Sequence, residues 1–153
     1  IFASARFPGS RVVAFEPDRA NAELMQQALD ANDLDYELVE AAASTTDGEV
    51  PFAAGGYTTS RIEAGGDPVP ALDVLPRLTE FDLAKIDIEG GEWALLADSR
   101  FPQLAPATLV LEFHPHLAPP GADAQRVLEA AAYSIERRLG FGEAHGLLWA
   151  VRR

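Results

Sequence analysis

Apolar and polar positions change period several times along the chain, and each change marks an element. Ile1 to Phe7 is short and apolar-rich and reads as a helix end. The Pro8-Gly9-Ser10 turn separates it from Arg11 to Phe15, a β-branched run that predicts a buried strand. From Asp18 onward, Ala22, Leu24, Met25, Ala28 and Leu29 recur at spacings of three and four. This predicts a helix to about Asn32, with Asp18 able to cap it. Asp35 to Glu40 alternates as a strand, so strand, helix and strand form a βαβ unit. Residues 42–70 are rich in Gly, Thr, Ser and Asp, with short strands expected at Glu49 to Ala53 and Thr58 to Ile62 as a small antiparallel excursion.

Regular patterning returns with Leu72 to Leu78, which reads as a short helical turn. Phe81 to Glu92 begins as a strand and leaves through Gly90-Gly91, and Glu92 to Asp98 continues as helix. Ala107 to His114 is the most apolar strand. A Pro-rich loop follows it, then an alanine-rich helix from Asp123 to about Ala132. Tyr133 to Leu139 and Leu147 to Arg152 read as two strands joined through a glycine-rich turn (Gly140, Gly142, Gly146). The alternation predicts an α/β fold whose sheet is mostly parallel, covered on both faces, and closed by a C-terminal antiparallel hairpin. At 153 residues the chain is expected to be one domain, 1–153. Sheets of this kind take ligands beyond the carboxyl ends of their strands, which directs attention to the residues after Phe15, Glu40, Ile86 and Phe113.

Charge narrows the function classes. With 24 acidic and 12 basic side chains, a net charge of -12, the chain lacks the clustered Lys and Arg that nucleic-acid phosphates or anionic lipid heads require. Neither a nucleic acid nor a membrane is expected as a partner. There is no cysteine, which removes thiolate nucleophiles and Cys-based zinc sites. No apolar run approaches the roughly 20 residues that span a bilayer, and no signal peptide is evident, so a cytoplasmic location is expected.

Glu16 stands where the first strand leaves the sheet, followed by Pro17, which stops the ladder. A carboxylate there can accept from both hydroxyls of a ribose, although a solvated acid at a helix start is an equal reading. Ala41, Ala42 and Ala43 would leave a shallow slot suited to a flat purine, or simply permit a tight strand exit. In "KIDIEGGE", a period of two puts Lys85, Asp87 and Glu89 on one strand face and Ile86 and Ile88 on the other. Three charges on a buried strand must pair with one another or open onto a cavity, because an unpaired buried ion costs several kcal/mol. "LEFHPH" adds Glu112, His114 and His116, of which His114 is a candidate general base. Trp93 reads as helix packing and His145 as structural. Asp87, Glu112 and His114 offer a donor set for a divalent metal, but no spaced metal motif accompanies them and no metal is expected. No G-x-S-x-G elbow surrounds Ser44 or Ser60.

Taken in order from Ile1 to about Pro115, "FPGSRVVAFEPDRANAELMQQAL", "VEAAAS", "DGEVPF", "VPALDVLPRL", "FDLAKIDIEGGEWALL" and "LVLEFHP" resemble the FkbM-type methyltransferases. The combination of "AFEP" with "KIDIEGGE" is the specific part. The resemblance implies a Rossmann-like class I methyltransferase sheet, S-adenosylmethionine as cofactor, and methyl transfer to a hydroxyl of a sugar or other small metabolite. It assigns Glu16 with Pro17 to the cofactor ribose, Ala42 and Ala43 to the adenine border, and Asp87 with Glu89 to the region of the methionine end and the acceptor. Lys85 also matches the motif, and His114 or Asp87 is the candidate base. The family's D-x-G-A-N-x-G loop and first strand would precede Ile1. The chain is therefore expected to lack a central strand between "RVVAF" and "FDLAKID", with weak or no cofactor binding and marginal stability if nothing precedes it. A non-catalytic binding module and a nucleotide-dependent oxidoreductase are the competing readings, since Glu16 would serve a dinucleotide ribose equally well.

Overall fold

In the computed structural model, which describes residues 6–34, 36–54, 60–62, 64–140 and 145–153, the β-branched run after the first turn forms strand β1 at Val13–Phe15. The chain divides into two compact units, Ile1–Ala43 with Asp47–Leu72 and Ser44–Thr46 with Asp73–Arg153. Residues 1–5 of the helix end expected at Ile1 to Phe7, the start of the Thr58 to Ile62 strand and the middle of the turn after Gly140 lie outside the described residues.

In the first unit, β1 pairs in parallel with β2 (Glu37–Val39), and the ladder continues through the Glu16 N–H to the Val39 carbonyl at 3.0 Å. The connection is helix α1 (Arg19–Asp30). Asp18 caps it as expected, its Oδ1 accepting from the N–H groups of Ala20 and Asn21 at 3.0 and 3.4 Å. Such a cap contributes about 1 kcal/mol. Ala22 and Leu29 are buried and Met25 and Ala28 half-buried, but Leu24 is exposed. At about 100° per residue, Leu24 sits roughly 200° from Ala22 around the axis, so it falls off the apolar face to which the spacing had assigned it.

The excursion is a sheet ordered β3-β6-β4-β5, from β3 (Ala42–Ser44), β4 (Gly48–Ala53), β5 (Arg61–Ile62) and β6 (Asp67–Asp73); the final residues of β3 and β6, Ser44 and Asp73, belong to the second unit. Strand β6 was not expected, because it carries Pro68 and Pro70. Across the antiparallel pair with β4, Pro68 faces Pro51, Pro70 faces Glu49 and Val69 faces Val50. Bonded and non-bonded pairs alternate in such a ladder. The prolines, two apart, therefore take the non-bonded positions toward β4, where no N–H is needed.

The second unit holds α2 (Leu75–Leu78), β7 (Leu83–Ile86), α3 (Glu92–Ala97), α4 (Phe101–Leu104), β8 (Thr108–Phe113), α5 (Ala124–Ala130), β9 (Tyr133–Gly140) and β10 (Gly146–Arg152). Its sheet runs β7-β8-β10-β9, with β7 and β8 parallel and the other pairs antiparallel. Leu109, Leu111, Leu148 and Ala150 share one face and form a core with Leu95, Phe101 and Leu128, each at most 1% exposed. On the other face Trp149 is 42% exposed. Arg100 ties this unit's irregular segments together. Its guanidinium meets Asp73 at 2.6 Å, Asp98 at 2.8 Å and the Thr45 carbonyl at 2.9 Å.

The closing hairpin β9–β10 is antiparallel as expected. The expectation of a mostly parallel sheet is corrected: among the described pairings with a register, only β1–β2 and β7–β8 are parallel. A parallel pair needs a long crossover, which the segments carrying α1 and α3–α4 supply; the long segment between β8 and β10 instead contains α5 and β9, and β10 returns from the β9 hairpin antiparallel to β8.

Candidate functional site

In the first unit, Glu16 leaves β1 half-buried, and its Oε1 accepts the Asp18 N–H at 2.8 Å. Burial pushes its carboxyl above the usual range, an effect the Asp18 N–H partly offsets and the Asp18 charge reinforces. Asp18 itself is buried, and its Oδ2 accepts from the Ser60 hydroxyl at 2.9 Å. Ala42 is buried and Ala43 half-buried within β3, so the alanines form a strand.

In the second unit, β7 stops at Ile86. The expected shared strand face for Lys85, Asp87 and Glu89 is therefore corrected. Glu89 and Gly90 take left-handed conformations, φ 48° and 95°, and two such residues in succession abolish the period of two. Gly90 suits this position by its φ, and a Cβ there would also push aside the tip of the exposed Leu117 side chain, 2.7 Å away. Lys85 is half-exposed and pairs with Asp87 at 2.6 Å. An ion pair this open contributes at most about 1 kcal/mol.

The turn delivers Glu92 to the first position of α3, where it is 0% exposed. Its Oε2 accepts the Gly90 N–H at 2.7 Å, and its Oε1 accepts the His114 N–H at 2.8 Å and lies 3.0 Å from His114 Nδ1. His114 leaves β8 and is buried. The Trp93 indole donates to its carbonyl at 3.0 Å, and the Trp93 ring packs edge-on against Phe113. Backbone and ring of His114 are thus all held. Because a carboxylate offers only lone pairs, the single proton of a neutral ring sits on Nδ1, which has the shorter of the ring's two carboxylate contacts. Nε2 then faces Glu89 Oε2 at 3.3 Å.

Of the residues singled out in the sequence, Asp87, Glu89 and His114 come together, with donor atoms within 4.8 Å of one another. Glu112 instead groups with His114 and His145. The metal set Asp87, Glu112 and His114 is thereby divided between two groups that share His114, either of which has donors suited to a divalent ion. His116 and His145 lie edge-on to His114, with ring centres at 6.1 and 6.2 Å. Glu92 was not singled out from the sequence. Its signal is the last letter of "KIDIEGGE", an acid directly after a Gly-Gly turn at a helix start.

Each unit is thus built on α/β lines around one parallel strand pair, and in the second a buried Glu–His pair follows those strands. The chain belongs to the methyltransferase FkbM domain family, whose model matches residues 1–141. A crystal structure of methyltransferase FkbM from Methylobacillus flagellatus KT is similar in fold, with TM-score 0.57 and 19% identity over 92% of this chain. The chain spans 36% of the length of that protein. A methyltransferase-like protein from Silicibacter pomeroyi DSS-3 aligns with 95% of this chain and 70% of its own, at 17% identity and TM-score 0.43. No curated protein matches the sequence. No helix among the described residues is long and apolar enough to cross a membrane.

Proposed function

We propose that this chain serves S-adenosylmethionine-dependent methyl transfer to a hydroxyl group of a small metabolite or sugar. Membership of the FkbM family supports methyl transfer. A hydroxyl as acceptor is supported by one feature of the second unit: His114 is fixed with its proton on Nδ1, and its Nε2 opposes Glu89 Oε2 at 3.3 Å. In that state two lone pairs face each other. A proton arriving at Nε2 can be shared with Glu89 as a charge-assisted hydrogen bond.

The chain's residues fit the cofactor at Glu16. Its burial has displaced water that a pair of ribose hydroxyls, both donors, would replace. Bound S-adenosylmethionine supplies an electrophilic methyl carbon on a positively charged sulfur. Transfer to oxygen then needs the acceptor placed in line and its proton removed. His114 Nε2 takes that proton as general base, the O–H bond breaking as the N–H bond forms. Asp87 is the weaker candidate because its carboxylate is engaged by Lys85 at 2.6 Å.

The test is radiolabelled methyl transfer from S-adenosylmethionine to a panel of sugars and hydroxylated metabolites. His114→Ala is expected to lower kcat by about 100-fold or more, the usual contribution of a positioned base. An undiminished rate would place the base elsewhere.

A further inference from the structure

Glu92 is fully enclosed, and the hydrogen bonds to its carboxylate come from Gly90 and His114. Burying a carboxylate costs several kcal/mol unless its lone pairs are met, and here N–H groups meet both oxygens. Oε2 takes the Gly90 N–H in the turn after β7. Oε1 takes both the backbone N–H and the Nδ1–H of His114 at the end of β8. A neutral amide of the same shape cannot do this. With its oxygen at the Oε1 position, its NH2 opposes the Gly90 N–H. Flipped, it opposes the His114 N–H and offers a proton to Nδ1, which drives the ring's own proton to Nε2.

We propose that Glu92 is the positioning residue for His114: it holds the ring in the Nδ1–H tautomer with Nε2 bare, and it balances the charge the ring gains on taking the acceptor's proton. The proton passes from the acceptor oxygen to Nε2 and goes no further, while the Nδ1–H stays on the ring. The role of Nε2 rests on the methyl-transfer reading; the hold on the ring does not.

The experiment is 15N spectroscopy of the full chain labelled at its three histidines, with His116→Gln and His145→Gln isolating the His114 signals. Neutral His114 is expected to carry its proton on Nδ1. In Glu92→Gln both tautomers appear and kcat falls about 100-fold with KM for S-adenosylmethionine little changed, whereas Glu92→Asp, which keeps the charge, recovers part of the rate. A His114 ring protonated on Nε2 in the chain that keeps Glu92 overturns the proposal, and this holds even if Glu92→Gln does not fold. So does a folded Glu92→Gln with unchanged tautomer and rate. If no hydroxyl compound is methylated, the ring spectrum still decides for or against Glu92, and the failure falls on the methyl-transfer reading alone.

Discussion

Two glutamates follow parallel strands in the two units, Glu16 directly after β1 and Glu92 beyond the turn that ends β7, and the chain treats them in opposite ways. Glu16 is half-buried with a backbone N–H from Asp18 on Oε1 and help from the Asn21 side chain, and burial leaves its carboxyl above the ordinary range. Glu92 has no exposure at all, yet backbone and ring N–H groups converge on both of its oxygens. Depth of burial therefore does not separate an acid kept for a ligand from an acid kept for the frame. The supply of donors does. An under-supplied carboxylate costs stability until something binds, and one that is enclosed with donors on both oxygens has little left to offer a ligand.

The comparison breaks first, and most visibly, at Glu92. Replacing it by leucine strands the N–H groups of Gly90 and His114, and stability is expected to fall by about 3–5 kcal/mol in urea unfolding. A loss below about 1 kcal/mol would mean that the saturated acid is not structural. Glu16→Gln should do the reverse. Affinity for S-adenosylmethionine, read by calorimetry, is expected to drop about tenfold, roughly one lost charge-assisted hydrogen bond, while the melting temperature holds or rises. The sign follows from the raised carboxyl. Folding favours the protonated form, so the wild type loses stability as pH climbs from the ordinary 4.5 through the folded value, and the glutamine variant does not. Unchanged affinity would refute the ribose assignment.

Asp98 supplies the smallest effect and a calibration. Hydrogen bonds from Arg100 hold its carboxyl down from 3.8 to about 2. Its contribution is therefore whole above the ordinary value and disappears as pH falls from 3.8 to about 2. Asp98→Asn is expected to flatten the acid-unfolding curve, followed by circular dichroism, within that window and to lower neutral stability by the same small amount, since the pair is only partly buried.

How much of this could be read from the residues depends on whether a pattern is local. The β-branched run of β1, the Asp18 cap and the apolar alternation of β8 through β10 are local and were legible to within a few residues. Strand β6 was not, because Pro68 and Pro70 argue against a strand unless the partner's register is known. The face shared by Lys85, Asp87 and Glu89 failed for a similar reason: periodicity assumes a continuing strand and cannot see two left-handed residues at its end. At the site, His114 was visible as a histidine following an apolar strand. Its partner Glu92 is 22 residues earlier in sequence, and only the fold brings them within 3.0 Å.

The indole bond to the His114 carbonyl has a practical consequence. Of the two tryptophans, Trp93 is buried against Phe113 and bonded to the backbone of the candidate base, whereas Trp149 is 42% exposed. The chain thus carries an intrinsic fluorophore beside its reactive ring and a second one in contact with water. Iodide should extinguish the emission of Trp149 and spare that of Trp93, leaving a built-in optical signal for whatever happens at His114.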